Sequence, residues 1–392
     1  MSGAARAQVG RPRIDPGIAF ALMWAGFAGY LGVLALAPRL GRRIVWGAIA
    51  LLVTGFAVAP VLLSHDVYSY VAYARLGVQH GLDPYVHPPS AAPADPAYAK
   101  VAWTEATSAY GPLFTLASYP LAWLPAGVAV AVLKAVAALS VLGIAATAAR
   151  IAAWRGADPR RAAAFVALNP LVLVHVVGGA HNDGVTMLLA MLAVAALLAG
   201  RELSAGAALT AAVATKLSAA VIAPFALIGA IHRPSPVPFR GTATKRNRRI
   251  GGRLVLGSLG AMLALGVAAW LAFGWDWLHG FGLAGENQSR TSYMSIPILA
   301  SRLTGLDPDA TRFAAAVLFL AAIAGLLAWT WRGGDWIRAS AWATLALLLA
   351  TAWLLPWYLI WLLPLAAISR DRPLRALTLL LTAYQLGARI PL

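Results

Sequence analysis

Long uncharged stretches decide what this chain can be. Residues 17–37, 44–64, 254–275, 313–331 and 339–369 contain no Asp, Glu, Lys or Arg, and each reaches or exceeds the roughly 18–20 residues that cross a hydrocarbon core as helix. Backbone polar groups in lipid need partners within the protein, so such runs are helices; the two-residue alternation of a membrane barrel is absent. Composition agrees, with 60% hydrophobic and 11% charged residues against about 45–50% and about 25% in soluble domains. The expectation is an all-α polytopic membrane protein, one integral domain over residues 1–392, with about 11–13 hydrophobic helices, some half-length, and no internal repeat.

With no cysteine in the chain, structural disulfides, thiol catalysis and cysteine metal sites are excluded. The run at 17–37 is longer than a signal-peptide core, lacks a small-residue cleavage site and precedes further spans, so it is expected to be retained. A net charge of +17 would suggest nucleic acid in a soluble protein; here arginines in short loops are the ordinary cytoplasmic anchors of membrane helices, and no nucleic-acid partner is expected. Loops 39–43, 150–161 and the basic loop 232–253 hold most of that charge and are expected inside. Segment 64–112 then forms an outer loop with interfacial helices, 275–292 and 356–361 lie outside, and 332–338 and 369–375 inside. This parity needs 111–125 to be interfacial or partly inserted before a full span at 128–149. It also needs 203–231 to be two short helices meeting near Lys216 and Pro224. Arg6, Arg11 and Arg13 then fall outside, against the charge rule.

An ionised side chain at bilayer depth costs at least about 2.5–3.5 kcal/mol, so the few polar residues near helix ends are the informative ones. Four sets stand out. In "LLSHDVYSYVAYARLGVQHGLDPYVHPP" (62–89), Asp66, Tyr70 and Tyr73 share one face of a helix at i, i+4, i+7, beside Tyr68; they present either a carboxylate among rings that stack on a sugar or an aromatic belt with a capping Asp. In "NPLVLVHVVGGAHNDG" (169–184), Asn169-Pro170 opens a helix, Gly178-Gly179 ends it, and His181, Asn182 and Asp183 occupy the next turn. Capping accounts for Asn or Asp there, but a His with an Asp, plus His175, exceeds what a cap needs. Lys216 is a lone cation between apolar flanks, placed either to snorkel to an interface or to meet a phosphate in an outer cavity. The fourth set is Glu286, Asn287, Arg290 and Arg302, with Tyr358 and Arg389 further on. Singly these are loop or belt residues; together they gather cations around one carboxylate, and a lipid phosphate is the anion at hand.

Five blocks, "DVYSYVAYARLGVQHGLDPY" (66–85), "AYGPLF" (109–114), "LNPLVLVHVVGGAHND" (168–183), "ATKLSAAVIAPF" (214–225) and "PWYLIWLLPL" (356–365), occur in this order across most of the chain. In that order the sequence resembles the actinobacterial polyprenol-phosphomannose-dependent α-1,6-mannosyltransferases, membrane glycosyltransferases of the GT-C type. The resemblance implies a donor of mannose on a polyprenyl monophosphate and a lipid-anchored mannan or glycolipid acceptor at the outer face of the plasma membrane. It also implies a catalytic acid at the start of the first outer loop, a position held here by Asp66. His65 precedes it where some relatives carry a second acid, so a two-carboxylate mechanism is not implied.

A polyprenyl phosphate is a good leaving group, so one base suffices where a glycosidase needs two carboxyl groups. Asp66 is the expected base of an inverting displacement, Lys216, Arg290, Arg302 and Arg389 the candidate phosphate cations and His181 a possible donor. The Tyr-rich 66–85 segment, Tyr110 and Trp103 are expected at the sugar side. No clustered carboxylate motif calls for a metal, and no cofactor is expected. The competing readings are a transferase of another polyprenyl-linked sugar such as arabinose, and a lipid or sugar transporter, for which Lys134 and Lys216 would be mid-membrane charges.

Overall fold

The computed structural model describes residues 16–232, 251–286, 289–290 and 292–388. Most of the basic 232–253 loop, Asn287, Arg389 and the N-terminal arginines lie outside the described residues. Among those described there is no strand. The α-helices are α1 (Pro16–Leu36), α2 (Arg42–Val58), α3 (Asp66–Gln79), α4 (Pro112–Ser118), α5 (Ala126–Trp154), α6 (Pro159–Ala167), α7 (Asp183–Leu198), α8 (Glu202–Thr215), α9 (Ala223–Ile231), α10 (Gly252–Phe273), α11 (Trp277–Glu286), α12 (Ile296–Thr304), α13 (Pro308–Trp331), α14 (Trp336–Ala350), α15 (Leu359–Ile368) and α16 (Arg372–Ala388). The surplus over the expected 11–13 is made by short pieces such as α4, α11 and α12, too short to cross.

Among the described residues α5, α10 and α13 are long and apolar enough to span a membrane. On α10 and α13 large side chains such as Leu263, Leu271, Phe313 and Leu318 point outward. Apolar faces of that extent are tolerable against lipid tails and not against water. At the centre stands α15, every residue of which is buried, with α5, α6, α7, α14 and α16 packed around it.

Several helices stop short of the apolar runs that encode them, and each stop has a local cause. The run at 44–64 is helical only to Val58, because Pro60 has no N–H to donate and disfavours helix at the residue before it. The carbonyls freed there are taken by Lys134, which donates to Ala59 O and, at 3.1 Å, to Pro60 O. The 339–369 run divides between α14 and α15 ahead of Pro356, and the backbone of the gap is satisfied by Ser292, whose N–H donates to Ala352 O at 3.0 Å and whose hydroxyl donates to Leu354 O at 2.9 Å. Near Lys216 the chain does break as its sequence suggests. That residue is extended, at φ −160 and ψ 129, between α8 and a 3-10 segment leading into α9, and the Gly111 N–H donates to Thr215 O at 3.0 Å. Irregular backbone at membrane depth survives only where protein or a polar cavity satisfies it, and these breaks surround one cavity.

Small residues set how closely α8 and α10 approach. A Cβ on Gly257 would fall on the Leu203 carbonyl oxygen, and one on Gly206 on that of Leu254, the backbone-to-backbone packing that glycine permits between membrane helices. Gly257→Val is therefore expected to destabilise the protein by at least about 1–3 kcal/mol through overpacking. Gly260→Val, at a position with open space around it, should leave thermal unfolding in detergent unchanged.

Candidate active site

The cavity has a volume of about 1060 Å³. All five sequence blocks reach its wall: Asp66, Tyr70 and Tyr73 from the first, Tyr110 from the second, His175 and His181 from the third, Lys216 from the fourth, and Trp357, Tyr358 and Trp361 from the fifth. Since α3 starts at Asp66, the i, i+4, i+7 spacing does turn Asp66, Tyr70 and Tyr73 to one side. Phe319, Leu320 and Ile323 of the outward-facing α13 give the wall an apolar part.

Two left-handed residues set the relation of Asp66 to His181. Leu63 at φ 56 and Ala180 at φ 55 reverse the chain just before each side chain, and the segments are joined by the Leu62 N–H donating to Gly178 O at 3.2 Å. Such non-glycine conformations carry local strain that surrounding structure must hold in place. A six-residue π-helical stretch, Val172–Val177, leads into the same turn, another irregularity found mostly at functional sites. The outcome is an Asp66 carboxylate oxygen 3.8 Å from His181 Nδ1, too far for a hydrogen bond. The other carboxylate oxygen accepts from Trp103 Nε1 at 3.2 Å. Burial raises the Asp66 pKa above the ordinary carboxylate range, while the Trp103 N–H and the positive charge of Lys216 act in the opposite direction. The His181 ring is stacked on Trp357 with centroids 3.8 Å apart.

Capping was open to Asp183 as to Asn182, and the Asp183 carboxylate does something else. It receives both bonds of Lys216 Nζ, at 2.8 and 2.9 Å, and the Trp361 indole N–H at 2.7 Å. Fully buried and absent from the cavity wall, it is the counterion that lets an ammonium sit at this depth. Lys216 itself faces the cavity, 5.1 Å from the Tyr358 ring centroid and 5.5 Å from that of Trp361. Pairing reduces the net charge it offers to an anion, a feature that sequence position alone did not convey. Gly111 sets its height, since a Cβ there would strike the Ala214 carbonyl oxygen.

Arg290 lies over Trp103 at 5.5 Å and over Trp353 at 5.9 Å, on the cavity wall. One indole thus touches both the carboxylate of Asp66 and this guanidinium. The remaining candidates stand back from the wall. Tyr68 points to the other side of α3, stacked on His65 with centroids 5.9 Å apart. Arg302 stacks 3.9 Å over the Tyr293 ring and donates to its hydroxyl at 2.7 Å, so Tyr293 reaches the cavity in its place. Asn182 is buried behind the wall, its side-chain amide meeting no partner and capping nothing among the described residues. Trp353, Trp357, Trp361 and Tyr293 were not singled out from sequence, because indoles and phenols near helix ends look like the ordinary interfacial belt. The available signal was that Trp357 and Trp361 fall within the block "PWYLIWLLPL" (356–365). No cluster of three or more His, Asp or Glu suited to a metal occurs among the described residues.

A family model described as "Alpha-(1->6)-mannopyranosyltransferase, N-terminal domain" matches residues 12–232, more than half of the chain. Fold and comparison together define a polytopic, all-helical membrane glycosyltransferase. Alpha-(1->6)-mannopyranosyltransferase A of Mycobacterium tuberculosis is 28% identical over 384 residues, 88% of this chain and 70% of that protein. The protein of the same name from Corynebacterium glutamicum is 28% identical over 179 residues, 44% of this chain and 36% of that protein. The chain belongs to the alpha-(1->6)-mannopyranosyltransferase family and is a mannosyltransferase. No solved structure matches it significantly.

Proposed function

We propose that the enzyme transfers mannose from polyprenyl-phosphate-mannose to a lipid-anchored mannan or glycolipid at the outer face of the plasma membrane, in an α-1,6 linkage and with inversion. The observation that carries this reading is that the Asp66 carboxylate lines the same cavity as Lys216 and Arg290. Asp66 takes the proton of the acceptor hydroxyl as that oxygen bonds to the anomeric carbon. The bond from that carbon to the phosphate oxygen breaks, and the polyprenyl phosphate leaves with the electron pair. Negative charge grows on the phosphate as it departs, where Lys216 and Arg290 stabilise it. Trp103, 42% exposed, offers a ring face for a sugar, the buried Tyr70 and Tyr73 form the wall beside Tyr110, and the apolar side near α13 suits an isoprenoid chain. The unpartnered nitrogens of His181 add to the reading, because buried polar groups kept without partners ordinarily serve a ligand or water.

The transporter alternative loses its support from Lys134, whose ammonium holds the end of α2. Mannose rather than arabinose is favoured by what the relatives are called. The test is a membrane assay offering labelled polyprenyl-phosphate-mannose, polyprenyl-phosphate-arabinose and a mannose nucleotide in parallel. Transfer from the first alone, into an α-linked product, is expected; equal transfer from the nucleotide overturns the donor assignment.

A base with a raised pKa also fixes a pH dependence. As pH falls through that pKa the carboxylate gains a proton and activity is lost, so the acid limb of kcat/KM should lie above the usual carboxylate range. Trp103→Phe removes a hydrogen bond that favours the ionised form, so it should move the limb to higher pH by roughly 0.5–1 unit. A shift to lower pH would show that Asp66 is not the group titrating.

A further inference from the structure

At the far end of the bundle from Asp66 a second pocket opens between α1, α6 and α16, with a volume of about 270 Å³. Arg161, Arg372 and Arg375 line it over an apolar surface that includes Leu34, Phe165 and Leu379. The nearby carboxylates are occupied elsewhere. Asp158, also on the wall, accepts the backbone N–H groups of Arg160 and Arg161, both at 2.9 Å, and the Arg160 guanidinium at 2.9 Å. Asp371 accepts from Arg338 at 2.5 Å, from Trp342 at 2.9 Å and from the Leu374 N–H at 3.0 Å. Arg160 reaches the Leu40 and Pro38 carbonyls and is no part of the cluster. The guanidiniums of Arg161 and Arg372 meet no hydrogen-bonding partner among the described residues, and that of Arg375 meets only the Asp371 carbonyl, at 3.3 Å.

Scattered arginines at a membrane boundary are ordinary anchors. Three that converge on one recess whose nearby carboxylates, Asp158 and Asp371, are bonded to other groups repel one another and are better explained by an anion that bridges them. Guanidinium forks match phosphate oxygens in shape as well as charge, and the greasy floor favours a phosphate that carries acyl chains. The depth fits: α5 has 29 residues, about 43 Å at 1.5 Å per residue, and joins the neighbourhood of Asp66 to that of Ala157. That exceeds the roughly 30 Å hydrocarbon core, so the pocket sits in the headgroup layer opposite the catalytic cavity. We propose that this pocket binds the phosphate of an anionic phospholipid of the leaflet opposite the catalytic cavity.

Delipidated full-length protein in neutral detergent, titrated separately with dioleoylphosphatidylglycerol, dioleoylphosphatidylcholine and inorganic phosphate, tests this by native mass spectrometry. One phosphatidylglycerol should bind in preference to phosphatidylcholine. Each of Arg161→Gln, Arg372→Gln and Arg375→Gln should weaken it about 5-fold. The exposed Arg43→Gln at the same end should not. A triple Arg→Lys variant keeps the charge and should retain preferential binding, which guards against a folding defect in the glutamine series. Equal loss in Arg43→Gln, or equal binding of both lipids, overturns the proposal. Displacement of phosphatidylglycerol by inorganic phosphate at matched concentration would assign the arginines to a free phosphate and overturn the lipid.

Discussion

Asp66→Asn is expected to slow mannosyl transfer by about 10²–10⁴-fold, with donor affinity changed by no more than a few fold. The size of the loss follows from the placement of the carboxylate. Asparagine keeps the shape and an acceptor oxygen for the Trp103 N–H, which reaches Asp66 at 3.2 Å, but it has no basic lone pair to receive the acceptor's proton. Binding and phosphate stabilisation rest on other residues and should persist, so the defect belongs in kcat rather than in donor Kd. His181 cannot take over readily, since its Nδ1 lies 3.8 Å from the carboxylate and its ring is held against Trp357. A variant with near wild-type kcat would remove Asp66 from the chemistry.

The second large effect concerns the Lys216–Asp183 pair. Removing one member leaves the other ionised and uncompensated, a loss of about 3–5 kcal/mol for a buried pair. Asp183→Leu strands an ammonium left beside the Tyr358 and Trp361 rings. Lys216→Met strands a carboxylate with the single N–H of Trp361. The double variant removes both charges and should recover most of that stability, as apolar replacement of buried pairs often does. Activity should not recover with it, because the cavity then lacks the cation that faces the departing phosphate. Thermal unfolding and transfer assays on the two single variants and the double variant separate these roles: a double variant that is both stable and active would make the pair purely structural.

How far the site was legible depended on whether the signal was local. The periodicity that turns Asp66, Tyr70 and Tyr73 to one side of α3 is contained in eight residues, and it held. The break at Lys216 was legible through the parity of crossings set by the basic loops, which needs two short helices across 203–231. The division of apolar runs was harder. Hydropathy reports which residues leave water, not where helix hydrogen bonding stops, so Pro60 ended α2 well before the 44–64 run did. Asp183 shows the deeper limit. Its partners are 33 and 178 residues away in sequence, and local context could suggest only a cap or a substrate ligand. The same distance hid Trp357 and Trp361, whose composition matches any interfacial belt but whose positions against His181 and Asp183 depend on packing around α15.

An Asp66→Asn protein trapped with polyprenyl-phosphate-mannose and solved by electron cryomicroscopy tests the central claim most directly. The donor phosphate should lie within about 4 Å of Lys216 or Arg290, with the anomeric carbon turned toward position 66 and room for an acceptor oxygen at about 3–3.5 Å. A donor bound elsewhere in the bundle, or one whose sugar faces away from position 66, would contradict the account.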